Sequence, residues 1–360
     1  MQKITILTGN KNNAGDFLIV EKTKQLFEHF LPNTELAFIK RNKPYTEEEI
    51  SIMNTSQVVI IAGGPAVFDY SAKALNLATC LESITSPIVM FGVGLHNKDT
   101  SFKNFELKFD KETQLLMERI QKSPYYSSVR DYKTLKYLKD CGFNNFSYTG
   151  CPVLYDLQSR NQEFLPFDIN KVNNIVFSVG SPMHNKEWLY KAQIDMIKSL
   201  KKTYPKKNLT IAFHHTIDLD LYRNLYKKIQ PGYANLIEYC LTNNIATIDI
   251  SNCANKMIDL YSNCDLHIGY RVHAHVFMTS IRKPSILIKE DGRGESMSEV
   301  IKGKTFNCSF VQNPLLRKLS GGGCKYIYKY LNLATKKQLC LNYIGPENFD
   351  EMKKFFEQFK

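Results

Sequence analysis

The stretch Gln57-Val-Val-Ile-Ile-Ala62-Gly-Gly-Pro65 decides the fold class. A strand with one wet face alternates apolar and polar residues. The unbroken run Val58-Val-Ile-Ile61 has no wet face, and sheets covered on both faces are parallel sheets flanked by helices. The glycine pair then falls at the strand's carboxyl end, where open α/β sheets gather their ligands. Similar runs lie on either side. Lys3–Thr8, Glu35–Ile39, Pro87–Gly92 and Tyr126–Val129 read as further strands. Asp16–Phe30 reads as a helix, with Leu18, Ile19, Leu26 and Phe30 recurring at near-helical spacing.

The alternation lapses over Leu157–Asn170, where polar residues and Pro166 suggest a linker. A second series follows, with strands at Asn174–Val179, Leu209–Phe213, Ala246–Ile250, Asp265–Gly269 and Ser285–Ile288. Helices are expected over Lys186–Lys202, Leu219–Ile229 and Val272–Ile281. At 360 residues the chain exceeds one ordinary core. The reading is α/β: two Rossmann-like parallel-sheet domains facing a cleft, 1–160 and 171–333, with a C-terminal segment at 334–360. In that segment Phe349, Met352, Phe355, Phe356 and Phe359 share one face of a helix with Pro346 in its first turn. The stripe reads as a docking face against the body.

Basic residues outnumber acidic ones by 47 to 35, a formal charge of +12, which favours acidic partners. No basic run of five or more and no aromatic-basic stacking motif occurs, which argues against nucleic acid. Nine scattered cysteines without a C-x-x-C pair suit reduced thiols. The opening MQKITILTGN turns polar too soon for a signal peptide, and the longest apolar runs are strand-sized. A cytoplasmic protein is expected, its charge allowing peripheral contact with an anionic membrane face.

The loops after the strands hold the candidate chemistry. Thr8-Gly-Asn-Lys-Asn-Asn-Ala-Gly-Asp16 offers Asn10, Asn13, Gly15 and Asp16 beside a helix start, though it is neither a Walker A loop nor a G-x-G-x-x-G fingerprint. Gly63-Gly64 and Gly92-Val-Gly94 let backbone approach a ligand closely. Arg130 ends a strand before Asp131, a helix cap. Its fork suits phosphate or carboxylate, a structural salt bridge being the alternative. The densest stretch is Asp265-Leu-His-Ile-Gly-Tyr-Arg-Val-His-Ala-His275, where Arg271 and His273 open a helix and set a fixed charge beside an imidazole. On a helix, His273 and His275 diverge by about 200°. On a strand they would share a face and, with Cys264 and His267, could chelate zinc. His267 reads as a hydrogen-bonded core histidine. His214-His215 closes a strand, which leaves room for one of the pair to face the cleft.

At these residues the sequence resembles the polysaccharide pyruvyl transferase family. The matching elements are Asn13-Ala-Gly15-Asp16, Gly63-Gly64, Gly92-Val-Gly94, Val129-Arg130-Asp131 with Gly142 beyond, and Arg271-Val-His273-Ala274. Pro284-Ser-Ile-Leu-Ile288 and Glu290-Asp291-Gly-Arg293 complete the series. The resemblance implies a two-lobed, glycosyltransferase-B-like fold that uses phosphoenolpyruvate as donor. Pyruvate would pass to two hydroxyls of a sugar as a cyclic ketal, with phosphate released and neither metal nor organic cofactor required. His273 would serve as general acid/base. Arg130 and Arg271, with Val272, His214 and His215, would take the donor. Asn10, Asn13, Gly15, Asp16, Gly63, Gly64 and Gly94 would take the acceptor, a glycan or a lipid- or nucleotide-linked sugar. His275, Glu290 and Arg293 are further candidates.

The chain departs from the family pattern at Val272, where leucine is usual, at His275, where an aliphatic residue is usual, and at His214-His215, which has no counterpart. A nucleotide-sugar glycosyltransferase is the alternative, in which an acidic residue such as Glu290 would hold a ribose diol. A non-catalytic binding protein would have lost Arg130, Arg271 or His273, and all three are present.

Overall fold

A computed structural model describes residues 2–9, 12–226, 229–345 and 347–360. The expected site residue Asn10 and the helix-opening Pro346 lie outside the described residues. In the first half, β1 (Gln2–Thr8), β2 (Thr34–Lys40), β3 (Val58–Ala62) and β4 (Ile88–Phe91) form a parallel sheet in the order β2-β1-β3-β4. All of β3 is buried, as its unbroken apolar run requires. The strand expected at Tyr126–Val129 does not extend this sheet. Ser127–Val129 pairs with Phe146–Tyr148 and reaches the sheet only through a bridge from Val129 to Val93. The Ser127 and Ser128 hydroxyls accept from the backbone N–H groups of Met90 and Gly92, each at 2.9 Å, so side chains replace ladder bonds there.

In the second half, β5 (Asn174–Ser178), β6 (Asn208–Phe213), β7 (Thr247–Asp249), β8 (Leu266–Gly269), β9 (Ser285–Lys289) and β10 (Phe306–Asn307) are all parallel. Their order is β7-β6-β5-β8-β9-β10, the doubly wound Rossmann arrangement. Strand order reverses between β5 and β8, so the loops leaving those two strands flank a crevice. The first sheet reverses between β1 and β3.

The helices that matter for the site are α1 (Ala14–Phe30), α2 (Tyr132–Asp140), α3 (Glu187–Thr203), α4 (Val272–Ser280), α5 (Gly292–Val300) and α6 (Glu347–Glu357). The helix expected over Leu219–Ile229 is assigned over Leu219–Tyr226, and a separate helix starts at Pro231, a residue suited to a first turn. Residues 155–168 carry no helix or strand.

One apolar cluster runs through both lobes, taking Leu18 and Phe27 from α1, Met257 and Tyr261 from the second half, and Val276 and Phe277 from α4. Phe355 and Phe356 of α6 join it from the far end of the chain. Phe356 stacks on Phe30 with ring centres 4.8 Å apart, and Phe355 lies over Phe91 at 4.8 Å. Full burial of such a side chain is worth about 1.5–3 kcal/mol, so α6 is firmly held on the first sheet. Beside it Gln2 Nε2 donates to the Phe359 carbonyl at 2.6 Å. Among the described residues, no helix is long and apolar enough to cross a membrane.

Candidate active site

The two lobes meet where α1 and α4 begin. Asn13 caps α1, its side chain accepting from the Gly15 N–H. The same Oδ1 accepts from Arg271 Nη2 at 2.7 Å, a bond from one lobe to the other. Ala14 N–H, an orphan donor of the first turn, donates across the gap to the His214 carbonyl at 3.1 Å. Gly15 lies against His273: a Cβ on Gly15 would sit 3.0 Å from the ring's Cγ and closer still to Nδ1. Asp16 follows, half-buried in the first turn. Burial pushes its carboxyl above the usual range, while Arg41, the Asn13 side chain, Arg271 and Arg293 pull the other way.

Arg271 is buried, and its backbone N–H donates to Ser178 Oγ at 3.2 Å across the point where strand order reverses. His273 is buried, with 9% of its surface exposed. Burial, then the charges of Arg130, Arg293 and Arg271, hold its pKa well below the ordinary 6.5. Its imidazole is therefore neutral near pH 7 and able to accept a proton.

A cleft of about 600 Å³ opens beside these residues, lined in part by Asn13, His96, His184, His215, Asp291 and Arg293. Arg293 Nε donates to Asp291 Oδ2 at 2.9 Å. Its charge also acts on Asp16, His96, His184 and His273, which makes it the electrostatic hub of the cleft. His96 was not singled out in the sequence. Burial, then the Arg293 charge, lowers its pKa to about 4. Arg41 was also missed. It follows β2, its Nη2 donates to the Gly63 carbonyl at 3.1 Å, and Asp16 is the charge that most opposes the lowering of its pKa by burial. No motif marks either residue; each only follows a strand or a glycine turn.

Several expected roles are corrected by the structure. Arg130 is not an open clamp: it is buried, with Nε 3.2 Å from Asp131 Oδ2 and Nη2 donating to the Leu95 carbonyl at 3.2 Å. A buried guanidinium is tolerated only with such partners, though its charge still reaches His273. Gly94 makes room for Arg130, since a Cβ there would come within 2.6 Å of Nη2. Gly63 and Gly64 make a turn at φ +55° and +73°, Gly63 packing on Ile19 and Gly64 beside Arg41. The Val272 side chain packs against the shared apolar cluster. His214 turns its ring inward, Nε2 lying 2.7 Å from Tyr261 Oη, and only its carbonyl reaches the other lobe. His215 does line the cleft.

His275 leaves the site altogether. Its Nδ1 lies 2.7 Å from Ser285 Oγ, and burial takes its pKa to about 3. His267 is held between Ser178 Oγ and Ser285 Oγ, each at 2.8 Å, while Cys264 Sγ approaches the Asn174 carbonyl at 3.8 Å, so this group does not converge on a metal. A second cluster, His184, Glu290 and Asp291, brings its ligand atoms within 4.8 Å of one another. The Arg293 fork on Asp291 puts a fixed cation inside that cluster, which suits a proton better than a divalent ion. Glu290 is buried, and both its oxygens accept from Ser181 N–H at 3.1 Å.

The family model described as polysaccharide pyruvyl transferase matches residues 13–292. Among solved structures, the chain is similar to S. aureus MnaA with UDP, at 10% identity and TM-score 0.59 over 99% of this chain and 98% of that one. It is also similar to UDP-GlcNAc 2-epimerase from Neisseria meningitidis bound to UDP-GlcNAc, at 13% identity and TM-score 0.56 over 100% and 99%. A comparison with curated proteins finds no match. At such identities the structural likeness establishes the glycosyltransferase-B fold and nothing finer.

Proposed function

The chain belongs to the polysaccharide pyruvyl transferase family, and from that premise we propose that it moves pyruvate from phosphoenolpyruvate onto two hydroxyls of a sugar in a cell-surface polysaccharide precursor. The product is a cyclic ketal, and phosphate leaves. The observation that supports this most is the gathering of Arg271, Arg293 and a neutral His273 where the two lobes meet. Phosphoenolpyruvate carries a carboxylate and a phosphate, and Arg271 and Arg293 are the cations that would clamp them. Charges fixed before the reaction stabilise the departing phosphate without reorganising. His273 takes the proton of the attacking hydroxyl. Asn13 and Asp16, presented by the other lobe, hold the acceptor's hydroxyls.

No metal or organic cofactor enters this scheme. The work is done in the cytoplasm, and the +12 charge favours peripheral contact with an anionic membrane that carries lipid-linked acceptors. The nucleotide-sugar alternative needs an acidic residue open to a ribose. Glu290, its candidate, is buried and already accepts from Ser181 N–H, which counts against that reading.

The test is to incubate the protein with phosphoenolpyruvate and a panel of lipid- and nucleotide-linked sugars. A product heavier by about 70 mass units, with phosphate released in equal amount, supports the reading. Transfer of a sugar from a nucleotide donor instead would overturn it.

A further inference from the structure

Ketal formation needs two proton movements of opposite sense. The methylene carbon of phosphoenolpyruvate must gain a proton, and the attacking hydroxyl must lose one. His273, kept neutral by burial and by the charges of Arg130, Arg293 and Arg271, is suited to the second task and poorly suited to the first. Another ring, on the cleft that opens beside it, has the complementary environment. His184 lies on the loop that leaves β5, beside the point where strand order reverses, and lines the cleft. Its Nε2 is 3.5 Å from Glu290 Oε2. Glu290 is fixed from behind by Ser181 N–H, and Tyr190 Oη donates to the His184 carbonyl at 2.9 Å, which steadies the loop.

We infer that His184, backed by Glu290, is the acid that protonates the methylene carbon, while His273 is the base for the first hydroxyl. This rests on the pyruvyl-transfer reading above. An imidazole backed by a buried carboxylate keeps its proton, and one buried within reach of arginine charges sheds it. Two titratable groups whose surroundings push them apart in this way divide acid and base work between them.

The charges around His184 agree. Burial alone would lower its pKa, but the charges of Glu290, 3.5 Å away, and Asp291 outweigh both burial and Arg293, so the net shift is upward. Lys186, close by on the same loop, is occupied by Asp99 at 3.3 Å. His96, Lys98 and His215 also line the cleft.

The steps balance. The carbon–carbon π pair takes the His184 proton as a new C–H bond, the first hydroxyl oxygen bonds to the adjacent carbon, and His273 accepts that hydroxyl's proton. The carbon–oxygen bond to phosphate then breaks with its electron pair leaving on phosphate. The second hydroxyl oxygen takes its place, and its proton ends on the phosphate. His273 passes its proton to solvent and His184 is recharged from it. Nothing is oxidised or reduced.

The experiment compares wild type with His184→Gln, His273→Gln, Glu290→Gln and Glu290→Asp. It measures ketal formation and phosphate release from about pH 5 to about pH 9, with phosphoenolpyruvate binding followed by calorimetry. His184→Gln should lower kcat by about 10²–10⁴-fold while shifting the phosphoenolpyruvate Kd by less than about threefold. It should also remove the loss of rate on the alkaline side, which reports deprotonation of the acid. Glu290→Gln should move that limb to lower pH, and Glu290→Asp should restore it in part. Because Glu290 also acts on Arg271, Glu290→Asp and His184→Gln carry the test should Glu290→Gln misfold. Wild-type kcat or an unmoved alkaline limb in His184→Gln overturns the assignment alone. A wild-type protein that makes no ketal from phosphoenolpyruvate overturns the transfer reading, and this inference with it.

Discussion

Gly15 of the first lobe and His273 of the second are in direct contact, with no room for a methyl group between them. Gly15 lies in the first turn of α1, where alanine is the better helix former by about 1 kcal/mol. Gly15→Ala should therefore leave thermal stability nearly unchanged, yet displace the imidazole. Misplacement of a reacting group by about 1 Å can cost on the order of 10²-fold in rate, and a loss of that size in kcat is expected. Steady-state kinetics beside a melting curve decides the matter: activity kept at full level would mean that His273 need not sit where it does.

Arg271 reaches Asn13 across the same junction at 2.7 Å. Asn13→Ala removes a helix cap, costing about 1 kcal/mol, and also frees the guanidinium from its tether. The expected signature is a higher KM for phosphoenolpyruvate with a modest drop in unfolding free energy. Asn13→Asp keeps the cap and should retain most of the stability. Equal donor affinity in all three proteins would mean that the Asn13 tether does not set the position of Arg271.

Burial holds His214, His267, His273 and His275 neutral, each with its pKa below 6.5. The unfolded chain binds protons at these rings before the folded one does, so stability is full above about pH 6.5 and falls as pH drops. Each such ring withdraws about 1.4 kcal/mol per pH unit until its folded pKa is reached. Melting temperature should decline steeply between about pH 6.5 and about pH 5. A flat profile over that range would show that these rings are charged in the folded protein.

Phe356 touches Phe27 and Phe30 of α1 and Phe91 of β4. Phe356→Ala should cost about 3–5 kcal/mol, chiefly as a cavity left in the first lobe. Denaturant melts measure this directly. A loss under about 1 kcal/mol would mean that α6 is not a real part of that core.

What the sequence made legible was whatever a local pattern encodes. The unbroken apolar run of β3 announced a parallel sheet. The two-residue spacing of His273 and His275 announced that on a helix the two rings would diverge, and the structure turns His275 to Ser285. What stayed hidden depends on partners distant in the chain. Arg130 and Asp131 look like an open fork and a cap, and nothing near them says that the Leu95 carbonyl will close on the guanidinium. Glu290 reads as a loop acid until Ser181, 109 residues earlier, is seen to donate to it. Arg41 carries no motif at all, because its place beside Asp16 comes from the order of β2, β1 and β3 in the sheet. The helix that begins at Pro231 was not read, although proline in a first turn is a local signal that could have been used.

The bond from Gln2 to Phe359 has a consequence for how the molecule is made. The first lobe is built on β1–β4 and covered by α6, and the residues of the second sheet lie between them along the chain. While a ribosome is still working on the second sheet, Phe27, Phe30 and Phe91 lack the rings that cover them. That lobe therefore keeps an open greasy flank until residues 347–359 are in place to cover it.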